Sequence, residues 1–284
     1  YLFVNCSVSK KIENENPIES VLSSKNTKIK SVMDKIDEHE VQIIFTQIKR
    51  AEDGTITFKD FSYHLNSNNY FYPASTVKFP IAILALEKLN EITNYSEQIN
   101  FRFKGSNQSK FFHEEIIKIF ALSDNEASNN LLDFIGFDYL NDTMQHKGLI
   151  PFRVNHRLAT DNADNSASPT LFIFNNDSLI AEKPAFINRS FEPLSLNGIK
   201  KGSGYLENDS IKKGAFDFSK KNYYPLETLH NTLKRIVFPN AFKPKERFNL
   251  TENERQFILS AMSKLPREQG FDTNQYYDSY CKFL

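Results

Sequence analysis

The apolar side chains recur every three or four positions in several segments, and this period predicts amphipathic helices. The five segments with this period are 27–38, 113–122, 126–134, 226–237 and 251–265. Two of them also have recognisable starts. Pro225 precedes the fourth segment, and Thr251 with Glu254 forms a capping-box pattern at the fifth. The pattern therefore predicts a protein with substantial helical content.

The segment that follows Tyr72-Pro73 differs because it is apolar on nearly every side. Residues Ser75–Leu86 contain only one charged side chain, which predicts a helix buried in the middle of the protein. Pro80 falls near the first turn of this helix, where few backbone hydrogen bonds are lost. A buried helix of this kind gives a rigid base for any side chain at its start.

Strand patterns are fewer. Residues 41–48 and 55–58 are rich in β-branched and aromatic residues and are separated by Asp53-Gly54, which predicts a β-hairpin. From Leu158 to Tyr224 no strong period is present, apart from a polar loop at 161–168 and a short strand at 171–174. We expect residues 1–26 to be a terminal tether and residues 27–284 to form the folded domain.

Composition excludes several classes of protein. Hydrophobic residues make up 40% of the chain and charged residues 25%, as in an ordinary globular protein. Lys plus Arg and Asp plus Glu number 35 each, so no excess positive charge indicates a nucleic-acid partner. The two cysteines, Cys6 and Cys281, and the six scattered histidines form no ligand cluster. We therefore expect no metal and no cofactor.

The start of the buried helix contains the strongest candidate chemistry. A serine hydroxyl is a weak nucleophile until a base accepts its proton, and Lys78 lies three residues after Ser75, on the same side of a helix. The spacing alone is weak evidence, because the chain has four Ser-x-x-Lys matches. They begin at Ser7, Ser75, Ser210 and Ser279. Only the match at Ser75 opens a strongly apolar helix.

A second motif lies between two predicted helices, at Ser123-Asp124-Asn125. With Tyr72-Pro73-Ala74-Ser75-Thr76-Val77-Lys78 upstream and Glu126-Ala127-Ser128-Asn129-Asn130-Leu131-Leu132 downstream, the chain resembles class A β-lactamases and penicillin-binding proteins. The resemblance implies that Ser75 is the acylated nucleophile and Lys78 its proton acceptor. It also implies that Ser123 relays a proton to the leaving nitrogen, that Asn125 binds the substrate amide, and that Asp124 holds the loop. The implied fold is α/β (α+β), with an antiparallel sheet flanked by helices and an all-helical subdomain.

Two parts of the family pattern are missing. Class A β-lactamases place a Glu in the loop beside the site to activate water, whereas residues 153–169 contain Asp161 and Asp164 but no Glu. A Lys-[Ser/Thr]-Gly segment is also missing after the helix at 226–237. The segments Lys200-Lys201-Gly202 and Lys212-Lys213-Gly214 precede that helix, so we interpret both as unrelated to the motif. We expect the C-terminal strands that bear this motif to lie beyond Leu284.

The sequence therefore predicts an exported serine hydrolase of the β-lactamase type, which acts on β-lactam amides. Two alternatives stay open, namely a D-alanyl-D-alanine peptidase or transpeptidase acting on peptidoglycan, and a non-catalytic penicillin-binding or sensor lipoprotein. Tyr1–Cys6 resembles the end of a lipoprotein signal peptide, so Cys6 is a candidate membrane tether. We expect a monomer in the periplasm or cell envelope, with a role in antibiotic resistance and no nucleic-acid partner.

Overall fold

The computed structural model describes residues 16–207 and 209–278, which fall into two compact units, the first ending at Asn66 and the second beginning at Ser67. The first unit contains three short helices followed by a β-hairpin. The predicted hairpin is confirmed, since the strands Ile43–Arg50 and Ile56–Tyr63 pair along their whole length in antiparallel register. The elements of this unit are α1 (Pro17–Leu22), α2 (Thr27–Met33), α3 (Ile36–His39), β1 (Ile43–Arg50) and β2 (Ile56–Tyr63).

The prediction of one continuous helix over residues 27–38 is wrong. It is divided into α2 and α3, and Lys35 between them leaves the helical conformation, with φ −131° and ψ 34°. No residue of either helix is buried, so no packed face holds one long helix together. The start of the expected tether and Cys6 lie outside the described residues, and α1 falls within its last part.

The described part of the second unit contains the remaining helices and ten short strands. The helices are α4 (Lys78–Leu89), α5 (Phe112–Leu122), α6 (Asn125–Ile135), α7 (Phe137–His146), α8 (Leu226–Val237) and α9 (Glu252–Ser263), with 3₁₀ turns at Ala74–Val77, Pro239–Ala241, Pro244–Glu246 and Pro266–Gln269. The strands are β3 (Ile99–Phe103), β4 (Lys110–Phe111), β5 (Ala167–Ser168), β6 (Leu171–Asn175), β7 (Ser178–Lys183), β8 (Phe186–Ile187), β9 (Lys200–Lys201), β10 (Gly204–Glu207), β11 (Ser210–Lys213) and β12 (Phe216–Asp217).

The pairs that the named strands of this unit form are all antiparallel in the described residues. The largest sheet that the described residues form has four strands in the order β4-β3-β6-β7, and β5-β8, β9-β12 and β10-β11 form two-stranded sheets. The mixed fold class with antiparallel sheets and many helices is confirmed. The four-stranded sheet does not include the early hairpin, which forms a sheet of its own.

The core of the second unit is built around α4. Every residue of this helix except Lys88 is buried, so the prediction of a helix buried on nearly every side is confirmed. Side chains of α5, α6 and α7 join it in one cluster with residues of β3 and β6. The amide of Thr251 and the side chain of Glu254 form the predicted capping box at the start of α9. The start of α4 is therefore fixed within the best-packed region of the unit.

Candidate functional site

Ser75 lies at the entrance to α4. It occupies a single 3₁₀ turn, Ala74–Val77, which runs directly into the α-helix at Lys78. In a 3₁₀ turn, residues three apart lie one above the other, so this geometry places Ser75 and Lys78 on the same side of the chain. Ala74, immediately before the serine, has φ +44°, in the left-handed region that non-glycine residues rarely adopt. Such backbone strain is concentrated at functional sites.

Lys78 is fully buried, and its side chain reaches the junction between α5 and α6. Its Nζ donates to the backbone oxygen of Ser123, lies 3.2 Å from Ser123 Oγ, and donates to Asn125 Oδ1 at 2.6 Å. Ser75 takes part in none of these three hydrogen bonds. The structure thus brings Lys78, Ser123 and Asn125 together, and places Ser75 one turn before Lys78.

The Ser123-Asp124-Asn125 segment reverses the chain between two helices. Ser123 ends α5 in the left-handed conformation, with φ +53°, and is 8% exposed. Asp124 caps α6 by accepting from the Ala127 amide at 2.8 Å, a structural role that agrees with the one implied by the resemblance. Because Ser123 and Asn125 flank this cap, the cap fixes the two groups that contact Lys78.

The contacts of Lys78 are compatible with two proton arrangements. As an ammonium, Nζ donates to all three oxygens of Ser123 and Asn125. As a neutral amine it donates to the Ser123 backbone oxygen and to Asn125 Oδ1, and its lone pair accepts the Ser123 hydroxyl proton. All three oxygens belong to neutral groups. In the neutral arrangement, the 3.2 Å contact between Nζ and Ser123 Oγ is short enough for a proton to pass between the two groups.

The loop at 153–169 is held against α6 by side-chain hydrogen bonds. Asn129 donates to the Leu158 oxygen at 2.8 Å and accepts from the Leu158 amide at 2.9 Å. Arg157, which is 3% exposed, pairs with Asp133 and donates to the backbone oxygens of Asn165 and Ala167. Burial raises the pKa of the Asp133 carboxyl and the Arg157 guanidinium opposes this rise. The loop therefore has a defined conformation beside the site.

Neither carboxylate of this loop is placed as a buried base. Asp161 is exposed, and Asp164, with 72% of its side chain exposed, pairs with Lys221 Nζ at 3.2 Å. Both exposed positions fit a role in solvation of the loop. The two Lys-Gly segments lie on separate small sheets, with Lys200 and Lys201 on β9 and Lys212 and Lys213 on β11.

Sequence reasoning missed Asn129 and Asp133 as residues that position the site. Together with Asn125 they occupy every fourth position of α6, so the three side chains lie on one face of the helix. Asn125 contacts Lys78, Asn129 holds Leu158, and Asp133 holds Arg157. A polar stripe at four-residue spacing, opposite the apolar face of the same helix, was the available signal.

Neither a metal-binding cluster nor a membrane span is found in the described part of the chain. No group of three or more His, Cys, Asp and Glu side chains comes together there. None of the described helices combines the length and the apolar character that crossing a bilayer requires.

Comparison with known proteins identifies related sequences and structures. A family model described as "Beta-lactamase enzyme family" matches residues 25–175, just over half of the chain. No curated protein matches the chain. Among solved structures, the chain is similar to the chromosome-encoded beta-lactamase of Vibrio parahaemolyticus, with 13% sequence identity and a TM-score of 0.42 over 83% of this chain and 70% of that one. The matched range includes Ser75, Lys78, Ser123 and Asn125.

Proposed function

The chain belongs to the β-lactamase enzyme family, and from this premise we propose that it is a serine hydrolase that opens β-lactam amides through an acyl-enzyme on Ser75. The proposal rests on one observation, the contact of buried Lys78 with both Ser123 and Asn125 beside the Ser75 turn. These are the groups that acyl transfer requires, namely a nucleophile, a proton acceptor and a proton relay.

Acylation proceeds by one proton cycle. The Ser75 hydroxyl oxygen attacks the amide carbonyl carbon, and its proton passes to the neutral amine of Lys78. The carbon–nitrogen bond of the β-lactam then breaks, and the leaving nitrogen receives a proton from the Ser123 hydroxyl. Lys78 returns its proton to Ser123 across their 3.2 Å contact, which restores both groups. Asn125 orients the substrate through its amide.

Release of the acyl group is the step for which the loop at 153–169 has no Glu of the kind that class A β-lactamases place there. Water must attack the ester carbonyl, and this needs a base beside the site. The loop at 153–169 offers only Asp161 and Asp164, both exposed to solvent. We therefore expect acylation to be faster than deacylation, so that the acyl-enzyme accumulates.

This expectation supports a second candidate function within the same family. A D-alanyl-D-alanine peptidase or transpeptidase also forms an acyl-enzyme, and it is inhibited by β-lactams because their acyl group is released slowly. The absence of a buried carboxylate from the described loop favours this alternative over rapid β-lactam hydrolysis. A non-catalytic penicillin-binding or sensor lipoprotein is the third candidate. Unlike the two enzymes, it would not turn over a substrate.

We place the protein in the cell envelope, because β-lactams and peptidoglycan are found there. In this proposal Cys6 is the point of lipid attachment and the enzyme contributes to antibiotic resistance. Mass spectrometry of Cys6 in protein purified from membranes tests the attachment. An unmodified Cys6 in exported protein would refute it.

Two measurements test the enzymatic proposal. Fluorescent penicillin should label the protein covalently on Ser75, and Ser75→Ala should abolish the label. Ser210→Ala is the matched control, because Ser210 begins another Ser-x-x-Lys match but lies on the exposed strand β11. Steady nitrocefin hydrolysis supports the β-lactamase, whereas a burst that stops after one equivalent supports the peptidase. Absence of any adduct on folded protein refutes both and favours the sensor.

A further inference from the structure

The hairpin of β10 and β11 leaves two large apolar side chains exposed to solvent. Leu206 is 69% exposed and Ile211 is 81% exposed. The two residues are directly opposite one another in the antiparallel register, so their side chains lie next to each other on one face of the hairpin. We name this pair the apolar patch. A single exposed apolar residue is ordinary on a protein surface, but adjacent ones form a surface that another molecule can cover.

The opposite face of the hairpin is turned toward the rest of the unit. Tyr205 precedes Leu206 on β10, and side chains alternate along a strand, so the Tyr205 ring lies on that opposite face. The ring is half-buried and packs edge-on against Phe216 of β12, with the two centroids 5.0 Å apart. The face that bears the apolar patch is therefore the open one.

The hairpin has little support from other strands. In the described part of the chain, β10 and β11 form a two-stranded sheet of their own, and all four residues of β11 are exposed. A two-stranded hairpin is only marginally stable in water unless a further surface packs against it. Contact with a second surface over the apolar patch would therefore stabilise the hairpin.

Opposite charges lie at equal distances on the two sides of the patch. Asp209 is two residues from Ile211 toward the turn, and Lys213 is two residues from Ile211 toward the base of the hairpin. Both are exposed, and neither side chain has a partner among the described residues. Four residues of extended chain span about 13 Å, which is too far for the two charges to pair within one hairpin. Both charges are therefore available to another molecule.

This arrangement makes the face complementary to a copy of itself. Two hairpins can stack face to face about a two-fold axis that is perpendicular to the strands and passes between the two apolar patches. The strands of the two copies then run in opposite directions, so Lys213 of each copy lies over Asp209 of the other. The apolar patches meet at the centre. A two-fold contact of this kind uses the same surface on both copies and closes at a dimer.

The mixed charge distinguishes a second copy from a lipid surface. An anionic membrane attracts Lys213 but repels Asp209 and also Glu207, which is exposed and lies at the same end of the patch as Asp209. A surface that has both signs of charge in the reverse order attracts both ends of the patch. A second hairpin in the antiparallel arrangement is such a surface.

We propose that the open face of the β10-β11 hairpin is the interface of a homodimer, in which the apolar patch of one chain packs against that of a second copy. The contact is small, so the dimer is weak and its population increases with protein concentration. The proposal replaces the monomer expected from the sequence. It goes beyond the proposed function and does not depend on it.

Sedimentation velocity of the full chain over a wide range of protein concentration tests the dimer. The unmodified protein should change from monomer to dimer as the concentration increases, whereas Ile211→Lys should stay monomeric throughout. Ile187→Lys is the matched control, because Ile187 is 73% exposed but lies on β8, in a different two-stranded sheet. This control should dimerise like the unmodified protein, and circular dichroism shows that each variant is folded.

Charge reversal tests the antiparallel arrangement with the apolar patch intact. Asp209→Lys and Lys213→Asp should each increase the Kd of the dimer by about 2- to 30-fold, because each change removes two symmetry-related ion pairs of the exposed kind. With both changes in one chain, opposite charges face each other again across the interface. The double variant should therefore recover the Kd of the unmodified protein.

Three outcomes overturn the proposal. The first is a monomer at every concentration, and the second is a dimer that Ile211→Lys leaves unchanged. In the first case, co-sedimentation of the monomer with vesicles of phosphatidylglycerol and phosphatidylethanolamine would assign the face to a lipid surface instead. The third is a double variant that associates no better than the single ones, which would refute the antiparallel pairing. Because no substrate is present, none of these results bears on acylation of Ser75.

Discussion

Two hydrogen bonds between Asn129 and Leu158, one donated by each residue, join α6 to the loop beside the site, and Asn129→Ala removes both. A net intramolecular hydrogen bond contributes about 0.5–1.5 kcal/mol, so the pair is worth about 1–3 kcal/mol. Leu158 is only 9% exposed, which limits how far water replaces the lost partners. We therefore expect Asn129→Ala to decrease the free energy of unfolding by an amount near the upper end of this range.

Urea unfolding followed by circular dichroism measures this loss. In a thermal scan it corresponds to a decrease in Tm of about 2–12 °C, since 1 kcal/mol shifts the Tm of a domain of this size by roughly 2–4 °C. Asn129→Asp should be destabilising too, because it keeps the acceptor for the Leu158 amide but loses the donor. Asn94→Ala, at an exposed position of the same unit, is the control and should change stability by less than about 0.5 kcal/mol.

Limited proteolysis separates local opening of the loop from global unfolding. If the loop detaches while the core holds, Asn129→Ala should be cut faster within 153–169 at urea concentrations far below the unfolding midpoint. The reasoning is refuted if Asn129→Ala matches Asn94→Ala in both urea unfolding and rate of cleavage. That result would mean that the loop is held by other contacts.

Three further perturbations test the site and its surroundings. Lys78→Ala should slow penicillin labelling about 10²- to 10⁴-fold, which is the usual contribution of a positioned base. Stopped-flow measurement of the labelling rate tests this, and an unchanged rate would show that Lys78 is not the base. Asp133→Ala leaves buried Arg157 without its partner and should cost about 3–5 kcal/mol in urea unfolding, whereas a change under 1 kcal/mol would contradict a buried pair. The pKa of His156 is lower in the folded state than its ordinary value of 6.5, so the unfolded chain binds the proton more readily. Its contribution to stability is complete above pH 6.5 and declines as the pH falls below it. The Tm of His156→Phe should therefore decrease less than that of the unmodified protein between pH 7 and pH 5, and parallel curves would refute the assignment.

Local signals in the sequence located several elements of the fold well. The helix at 226–237 has the predicted bounds, because a proline before a strong apolar period defines a helix start chemically. The capping box at Thr251 and the hairpin around Asp53-Gly54 are likewise local chemistry. The burial of α4 was predictable, because a helix that is apolar on nearly every side is stable only inside the core.

Long-range pairing was not predictable in the same way. The four-stranded sheet joins β3 to β6, segments far apart in the chain, and β3 has no alternating pattern because its first three residues are all buried. The stretch from 158 to 224 folds into short strands of two to six residues, too short to show a period. The contact of Lys78 with Asn125 depends on the chain reversal at Ser123. No residue pattern predicted the left-handed backbone of Ser123.

The burial of α4 also determines which hydrogens of the protein exchange with solvent last. Its amides are sheltered on every side, so deuterium should enter them only when the whole second unit opens, whereas the exposed β10-β11 hairpin should exchange early. Ser75 lies in the turn that leads directly into this slowest-exchanging helix. Heating should therefore not inactivate Ser75 before the second unit unfolds. Loss of labelling on heating and global unfolding should then follow a single curve.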